Sequence, residues 1–317
     1  MQVAAIDVGT NTVLLLVARR GADGRVVAVR EEATITRLGQ DVDRTRALHP
    51  DAVLRTNACL SRYADVIRDH GGVARVRVVG TSAMRDAAGS EAVRDHVRRL
   101  LGVAVDVISG VEEAELAGAG ALSGLDVAGP VLVFDIGGGS TECMLRGGSG
   151  SPAVSVDIGS VRVTERWLPS EPPTGAEIAL AEREIAARLA PLREIATAWR
   201  AAGGSGAPVG VAGTMTTLAA VALEMETYDA ARVHGHRLRR AELEQVVRRL
   251  ARLPVEAKRT VPGLHPKRAD VIVGGGLVAL ACLDALEASE VIVSDRGIRW
   301  GVAERLLEGD GAGAASL

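Results

Sequence analysis

Aromatic side chains make up only 2% of the 317 residues, so platforms on which nucleobases stack are scarce and a single-strand nucleic-acid binder is disfavoured. Cysteine is nearly missing as well. Cys59, Cys143 and Cys282 stand apart, without a Cys-x-x-Cys or a Cys/His spacing that holds zinc, so neither a disulfide framework nor a structural metal is indicated and the three thiols are expected in the core. Lysine occurs only at Lys258 and Lys267; every other basic side chain is arginine, which suits bidentate phosphate contacts, although a GC-rich genome produces the same bias. There is no surplus of positive charge. A formal net charge of -3 argues against nucleic acid held by general electrostatics, so a polyanion has to be handled locally. No basic leader with an apolar run opens the sequence and no membrane-length apolar stretch follows, so the expected setting is the cytoplasm, without a membrane partner.

What is present is a 47% hydrophobic chain long enough for two medium domains. Val3 to Val8 is a short β-like apolar run, the Gly9-Thr10-Asn11-Thr12 turn follows, and Val13 to Ala18 is a second run, which together read as a hairpin. The pattern returns as Val131 to Asp135, Gly137-Gly138-Gly139-Ser140-Thr141, and a strand through Leu145. In a gap-free overlay Asp7 falls on Asp135, Ile6 on Phe134, Gly9 on Gly137 and Thr12 on Ser140, so the chain reads as internally duplicated. The expected domains are residues 1–125 and 126–310, with residues 311–317 a flexible tail that has nothing to bury. Between the hairpins the pattern alternates strands and helices, with helices near 50–70, 90–101 and from 111. After the second hairpin a long Ala/Glu/Arg-rich helix is expected over 174–200, then helices over 214–225, 241–253, 269–286 and 298–307 and strands at 208–212 and 290–293.

Glycines in a turn between strands let backbone N–H groups approach an anion, because no β-carbon stands in the way. Gly137, Gly138 and Gly139 offer this, Ser140 and Thr141 add hydroxyls, and Gly9, Thr10, Asn11 and Thr12 supply similar chemistry from the first repeat. A lone glycine triplet is as often a tight hairpin; paired loops that each follow an acid are a stronger sign. Asp7 and Asp135 end apolar strands, where a carboxylate needs water, hydrogen bonds or a cation, so both are candidate Mg²⁺ residues; capping of their turns is the plainer alternative. Glu142 falls where the first repeat has Leu14, inside an apolar strand, and either faces water or serves the site. Glu112 and Glu113 open a helix, where the dipole alone accounts for carboxylates, and spacing does not separate the two.

The segments Ala5 to Thr12, Gly80-Thr81-Ser82-Ala83-Met84-Arg85, Ile108 to Ala114 and Asp135 to Glu142 closely resemble, in order, signatures of the exopolyphosphatase and guanosine pentaphosphate phosphohydrolase family. So do Ala212-Gly213-Thr214-Met215-Thr216-Thr217-Leu218, Arg268-Ala269-Asp270-Val271-Ile272 and Val293-Ser294-Asp295-Arg296-Gly297, so the resemblance spans nearly the whole chain. It implies a two-domain actin-like (ribonuclease H-like) α/β fold, with substrate in the interdomain cleft. It implies Glu113 as catalytic base and Glu142 as the residue that positions the attacking water or a metal. Asp7, Asp135 and Glu142 would serve the metal, Mg²⁺ with Mn²⁺ as the alternative. Ser82, Arg85, Gly213, Thr214 and Arg268 join the two loops as phosphate-binding residues, the arginines neutralising charge on the transferring phosphoryl group.

The implied reaction is release of terminal phosphate from inorganic polyphosphate, expected to be short-chain; guanosine pentaphosphate as substrate, and a sensor that binds without turnover, are the alternatives. An ATP-dependent kinase of the same fold would usually need a longer chain with an adenosine pocket. Long members of the family continue into a helical region related to His-Asp phosphohydrolases, and this sequence stops before one, so it matches the short actinobacterial branch, for which a homodimer is expected. Trp300 stands where many relatives carry an acidic residue.

Overall fold

The computed structural model describes residues 1–147 and 152–309, so the expected tail at 311–317 lies outside the described residues. The chain forms two compact units, one of Met1–Ser123 with the segment from Ile298 onward, the other of Gly124–Gly297.

In the first unit the apolar run becomes β1 (Gln2–Val8), which pairs antiparallel with β2 (Thr12–Arg20), and β3 (Val26–Ile35) completes a meander. A short helix α1 (Val42–Thr45) leads to α2 (Pro50–Asp69). Pro50 starts α2 where no hydrogen-bonded N–H is needed, the His49 ring accepts from the Asp51 N–H, and Ala52, Thr56, Cys59, Leu60, Tyr63 and Ile67 repeat at helical spacing on the buried face. β4 (Val73–Gly80) lies parallel to β1, α3 (Ser82–Asp86) and α4 (Glu91–Leu101) follow, and β5 (Val105–Val107) lies parallel to β4 before α5 (Gly110–Leu122). The sheet order is β3-β2-β1-β4-β5.

The second unit repeats the scheme. β6 (Val131–Ile136), β7 (Thr141–Arg146) and β8 (Ala153–Val156) form the meander, followed by α6 (Ser160–Trp167), α7 (Gly175–Arg188) and α8 (Pro191–Ala201). β9 (Val209–Val211) lies parallel to β6 and runs into α9 (Ala212–Ala222). Then come α10 (Ala230–Val233), β10 (Arg237–Arg239), α11 (Arg240–Ala251), α12 (Val255–Lys258), α13 (Ile272–Leu286) and β11 (Glu290–Val293), parallel to β9. The order β10-β11-β9-β6-β7-β8 contains the same meander-plus-parallel-strands arrangement as the first sheet, the duplication that the actin-like expectation requires. Each unit has its own apolar core, around Ile6, Leu60 and Val78 in the first and Phe134, Leu218 and Leu283 in the second.

Three features differ from the sequence expectation. The helix expected over 174–200 is two helices, because Pro191 cannot donate to the preceding turn and instead starts α8. Residues 160–167, to which no element is assigned from the sequence, form the helix α6. The last helix, α14 (Ile298–Glu308), assigned from sequence to the second half, packs on β1, β2 and α5 of the first unit. It buries Ile298, Trp300, Val302 and Leu306 there, and Arg299 pairs with Glu31. Trp300 is thus a core residue. The approach of α14 to α5 depends on Gly301, where an added Cβ would lie 2.1 Å from the Leu116 carbonyl oxygen. Backbone cannot yield as a side-chain tip does, so Gly301→Ala is expected to cost about 1–3 kcal/mol and lower the melting temperature by several degrees in calorimetry.

Candidate phosphate and catalytic residues

In the first unit the loop after β1 closes by a hydrogen bond from the Gly9 N–H to the Thr12 carbonyl, 3.1 Å. The Thr10 carbonyl accepts from the Gly39 N–H (2.8 Å), and the Asn11 carbonyl from the Thr36 (3.1 Å) and Arg37 (3.0 Å) N–H groups. The Thr10 and Asn11 side chains are 8% and 6% exposed, yet among the described residues the Thr10 hydroxyl and both polar atoms of the Asn11 amide have no hydrogen-bond partner. A buried polar group left this way costs about 1–3 kcal/mol, so the loop is built for a ligand or water that is polar. Asp7, also buried, faces Leu14 across the hairpin, and Thr12 begins β2.

Ser82, Arg85 and Glu113, far apart in sequence, meet in the same unit. The Ser82 hydroxyl donates to Asp86 (3.1 Å), while Arg85 Nη1 donates to the Ile108 carbonyl (2.9 Å) and to Glu113 Oε2 (3.2 Å). Glu113 lies in the first turn of α5, whose N-cap Ser109 accepts from the Glu112 N–H at 3.2 Å. Structure separates the two glutamates. Glu112 is bound to Arg77 (3.0 Å), which also holds Asp106, and faces Arg305; Glu113 is buried beside Arg85. Glu112 is thereby occupied in fixing α5.

The second unit closes its loop in the same way, with the Gly137 N–H donating to the Ser140 carbonyl at 3.0 Å. Asp135 faces Glu142 across the hairpin, the register that places Leu14 opposite Asp7 in the first. Both carboxylates are buried. Burial alone pushes the Asp135 carboxyl up to about 7, and Glu142 Oε1 accepts from the Ser155 hydroxyl at 2.6 Å. Ser155, on the edge strand, had no signal in the sequence. Ser140 is buried in the loop, and the Thr141 hydroxyl donates to the Ile158 carbonyl (2.6 Å), a structural bond that takes the proton expected for phosphate.

Gly213 and Thr214 lie at the start of α9, after Ala212 in the left-handed region at φ 67°. An added Cβ on Gly213 would fall 2.1–2.3 Å from the Arg268 guanidinium, so the glycine is what admits the arginine to this turn. Desolvation pulls Arg268 down to about 10, partly opposed by Tyr228, and it stays charged at neutral pH. Tyr228 in turn donates to Asp295, just beyond β11. Asp135, Gly213 and Asp295 thus stand at the carboxyl ends of the parallel strands β6, β9 and β11, the edge where open α/β sheets bind ligands. A groove of about 800 Å³ between α7, α11 and α13 is lined by none of these residues.

No group of three or more His, Cys, Asp or Glu side chains forms a metal cage among the described residues. Mg²⁺ binds through one or two carboxylates and completes its shell with water and substrate phosphate. The adjacent oxygen donors of Asp135 and Glu142 fit such an ion, and a cation beside them would offset the desolvation that raises Asp135.

Residues 16–309 match the Ppx/GppA phosphatase family. Over 320 aligned positions the chain is 41% identical to exopolyphosphatase 2 of Mycobacterium tuberculosis, covering 95% of this chain and 97% of that protein. Among solved structures, an exopolyphosphatase-like protein superposes with a TM-score of 0.87 at 34% identity, over 98% of this chain and 99% of its own. The Aquifex aeolicus member of the Ppx/GppA family superposes with a TM-score of 0.79 at 31% identity, over 98% and 99%.

Proposed function

The chain belongs to the Ppx/GppA phosphatase family, and on that footing we propose that it is an exopolyphosphatase, hydrolysing the terminal phosphoanhydride bond of inorganic polyphosphate, with short chains preferred. The observation that carries this reading is the repeated hairpin loop, closed by the same hydrogen bond in both units and preceded each time by a buried aspartate. Loops of this kind present N–H and hydroxyl donors to phosphate oxygens.

Phosphoryl transfer asks for positioning and charge neutralisation more than covalent chemistry. Glu113 accepts a proton from water as the water oxygen bonds to the terminal phosphorus, and the bond to the bridging oxygen breaks with its electron pair going to the shortened chain. Arg85 fixes the Glu113 carboxylate, and Arg268 offsets charge on the phosphates. Thr10, Asn11 and the 137–140 backbone hold phosphate oxygens. Asp7, Asp135 and Glu142 are the carboxylates offered to Mg²⁺ or Mn²⁺, which when bound supplies positive charge to the phosphates. Glu142, fixed by Ser155, orients the water. A cytoplasmic homodimer is the proposed setting, supported by the resemblance to short family members. No described helix is long and apolar enough to cross a membrane.

The test is Mg²⁺-dependent phosphate release from short polyphosphate, long polyphosphate, guanosine pentaphosphate and ATP. Fastest release from short polyphosphate is expected. Release from the pentaphosphate alone would favour the alarmone reading, and binding without release from any substrate would leave a sensor.

A further inference from the structure

We infer that Arg162 is a positioning residue of the 137–141 loop, aiming its N–H groups at the bound anion; this rests on reading that loop as a phosphate site. Arg162 belongs to none of the sequence motifs. In the structure all three glycine carbonyls of the loop are taken by the start of α6. The Gly137 carbonyl accepts from the Ser160 N–H (3.0 Å) and hydroxyl (3.3 Å), the Gly138 carbonyl from the Val161 (2.9 Å) and Arg162 (3.1 Å) N–H groups, and the Gly139 carbonyl from Arg162 Nε at 2.7 Å.

In a trans peptide the C=O of one residue and the N–H of the next point to opposite sides. Holding the carbonyls of 137, 138 and 139 against α6 therefore turns the N–H groups of Gly138, Gly139 and Ser140 the other way. Those three donors take no part in the backbone hydrogen bonds of the turn among the described residues. The first-turn donors of α6 are themselves used on the loop, so the helix end acts on an anion only through these peptides. Arg162 is 6% exposed, and its charge at the Gly139 carbonyl polarises the Gly139-Ser140 peptide, which strengthens the Ser140 N–H as a donor.

The close approach needs Gly159, where an added Cβ would lie 2.5 Å from the Gly138 carbonyl group. In the first unit backbone N–H groups of the chain after β3, those of Thr36, Arg37 and Gly39, clamp the Thr10 and Asn11 carbonyls at the equivalent place. In the second loop the Arg162 guanidinium joins the backbone donors.

Arg162→Ala and Arg162→Met test this against the wild type, through KM and kcat for short polyphosphate, tripolyphosphate affinity by calorimetry, and circular dichroism. The expected result for Arg162→Ala is a KM and a tripolyphosphate Kd raised about tenfold or more, with partial restoration by millimolar free guanidinium, which a generally loosened fold would not show. Should the alanine variant not fold, the methionine variant, which keeps the side-chain volume and removes donor and charge, is read the same way, without the rescue arm. Unchanged KM and Kd in a folded variant overturn the inference. A wild type that binds tripolyphosphate without hydrolysing it refutes the enzyme reading and leaves the affinity comparison to judge Arg162; a wild type that does not bind it overturns both.

Discussion

Glu113→Gln is expected to lower phosphate release from polyphosphate by about 10²- to 10⁴-fold, the usual contribution of a positioned general base, with tripolyphosphate affinity within a few-fold of wild type. The amide oxygen keeps an acceptor for Arg85 Nη1, now 3.2 Å from the carboxylate, so the local packing survives while the proton acceptor is lost. Glu112→Gln is the control. It removes the charge facing Arg77, with a small loss of stability and near-normal kcat expected, because Glu112 is engaged in fixing α5. If the two variants exchange these effects under steady-state assay, the base is Glu112.

Asp135→Asn is expected to abolish most activity and, in metal-free protein, to raise stability at alkaline pH. Burial lifts the Asp135 carboxyl from 3.8 to about 7, so between those values the native state holds a proton that the unfolded chain has released. Stability from this group is therefore greatest at low pH, falls as pH rises through the window and is lost above about 7, a cost on the order of 4 kcal/mol. Asparagine carries no such proton. Urea unfolding in EDTA should show the wild type weakening relative to the variant between pH 4.5 and 8, while adding Mg²⁺ should stabilise the wild type more than Asp135→Asn. Parallel pH profiles for the two proteins would contradict the assignment.

The duplication was legible because both hairpins keep the same spacing, and the overlay of Asp7 on Asp135 is reproduced by identical turn hydrogen bonds and registers. The odd carboxylate at Glu142 was legible for the same reason: its counterpart Leu14 is apolar. The Arg85–Glu113 contact was not, since it depends on how α3 and α5 meet across the sheet end. Ser155 and Arg162 likewise act through side-chain reach from other elements, which periodicity does not encode. The break at Pro191 was readable from the proline itself. The return of α14 to the first unit rests on small-residue packing at Gly301, which no local pattern announces.

The most direct measurement is hydrolysis of short-chain polyphosphate in ¹⁸O-labelled water, with the label located by mass spectrometry in the released phosphate and in the shortened chain. Attack by water at the terminal phosphorus places one ¹⁸O in each phosphate released and none in the remaining chain. Label in the chain, or no Mg²⁺-dependent release at all, would contradict terminal hydrolysis by this protein.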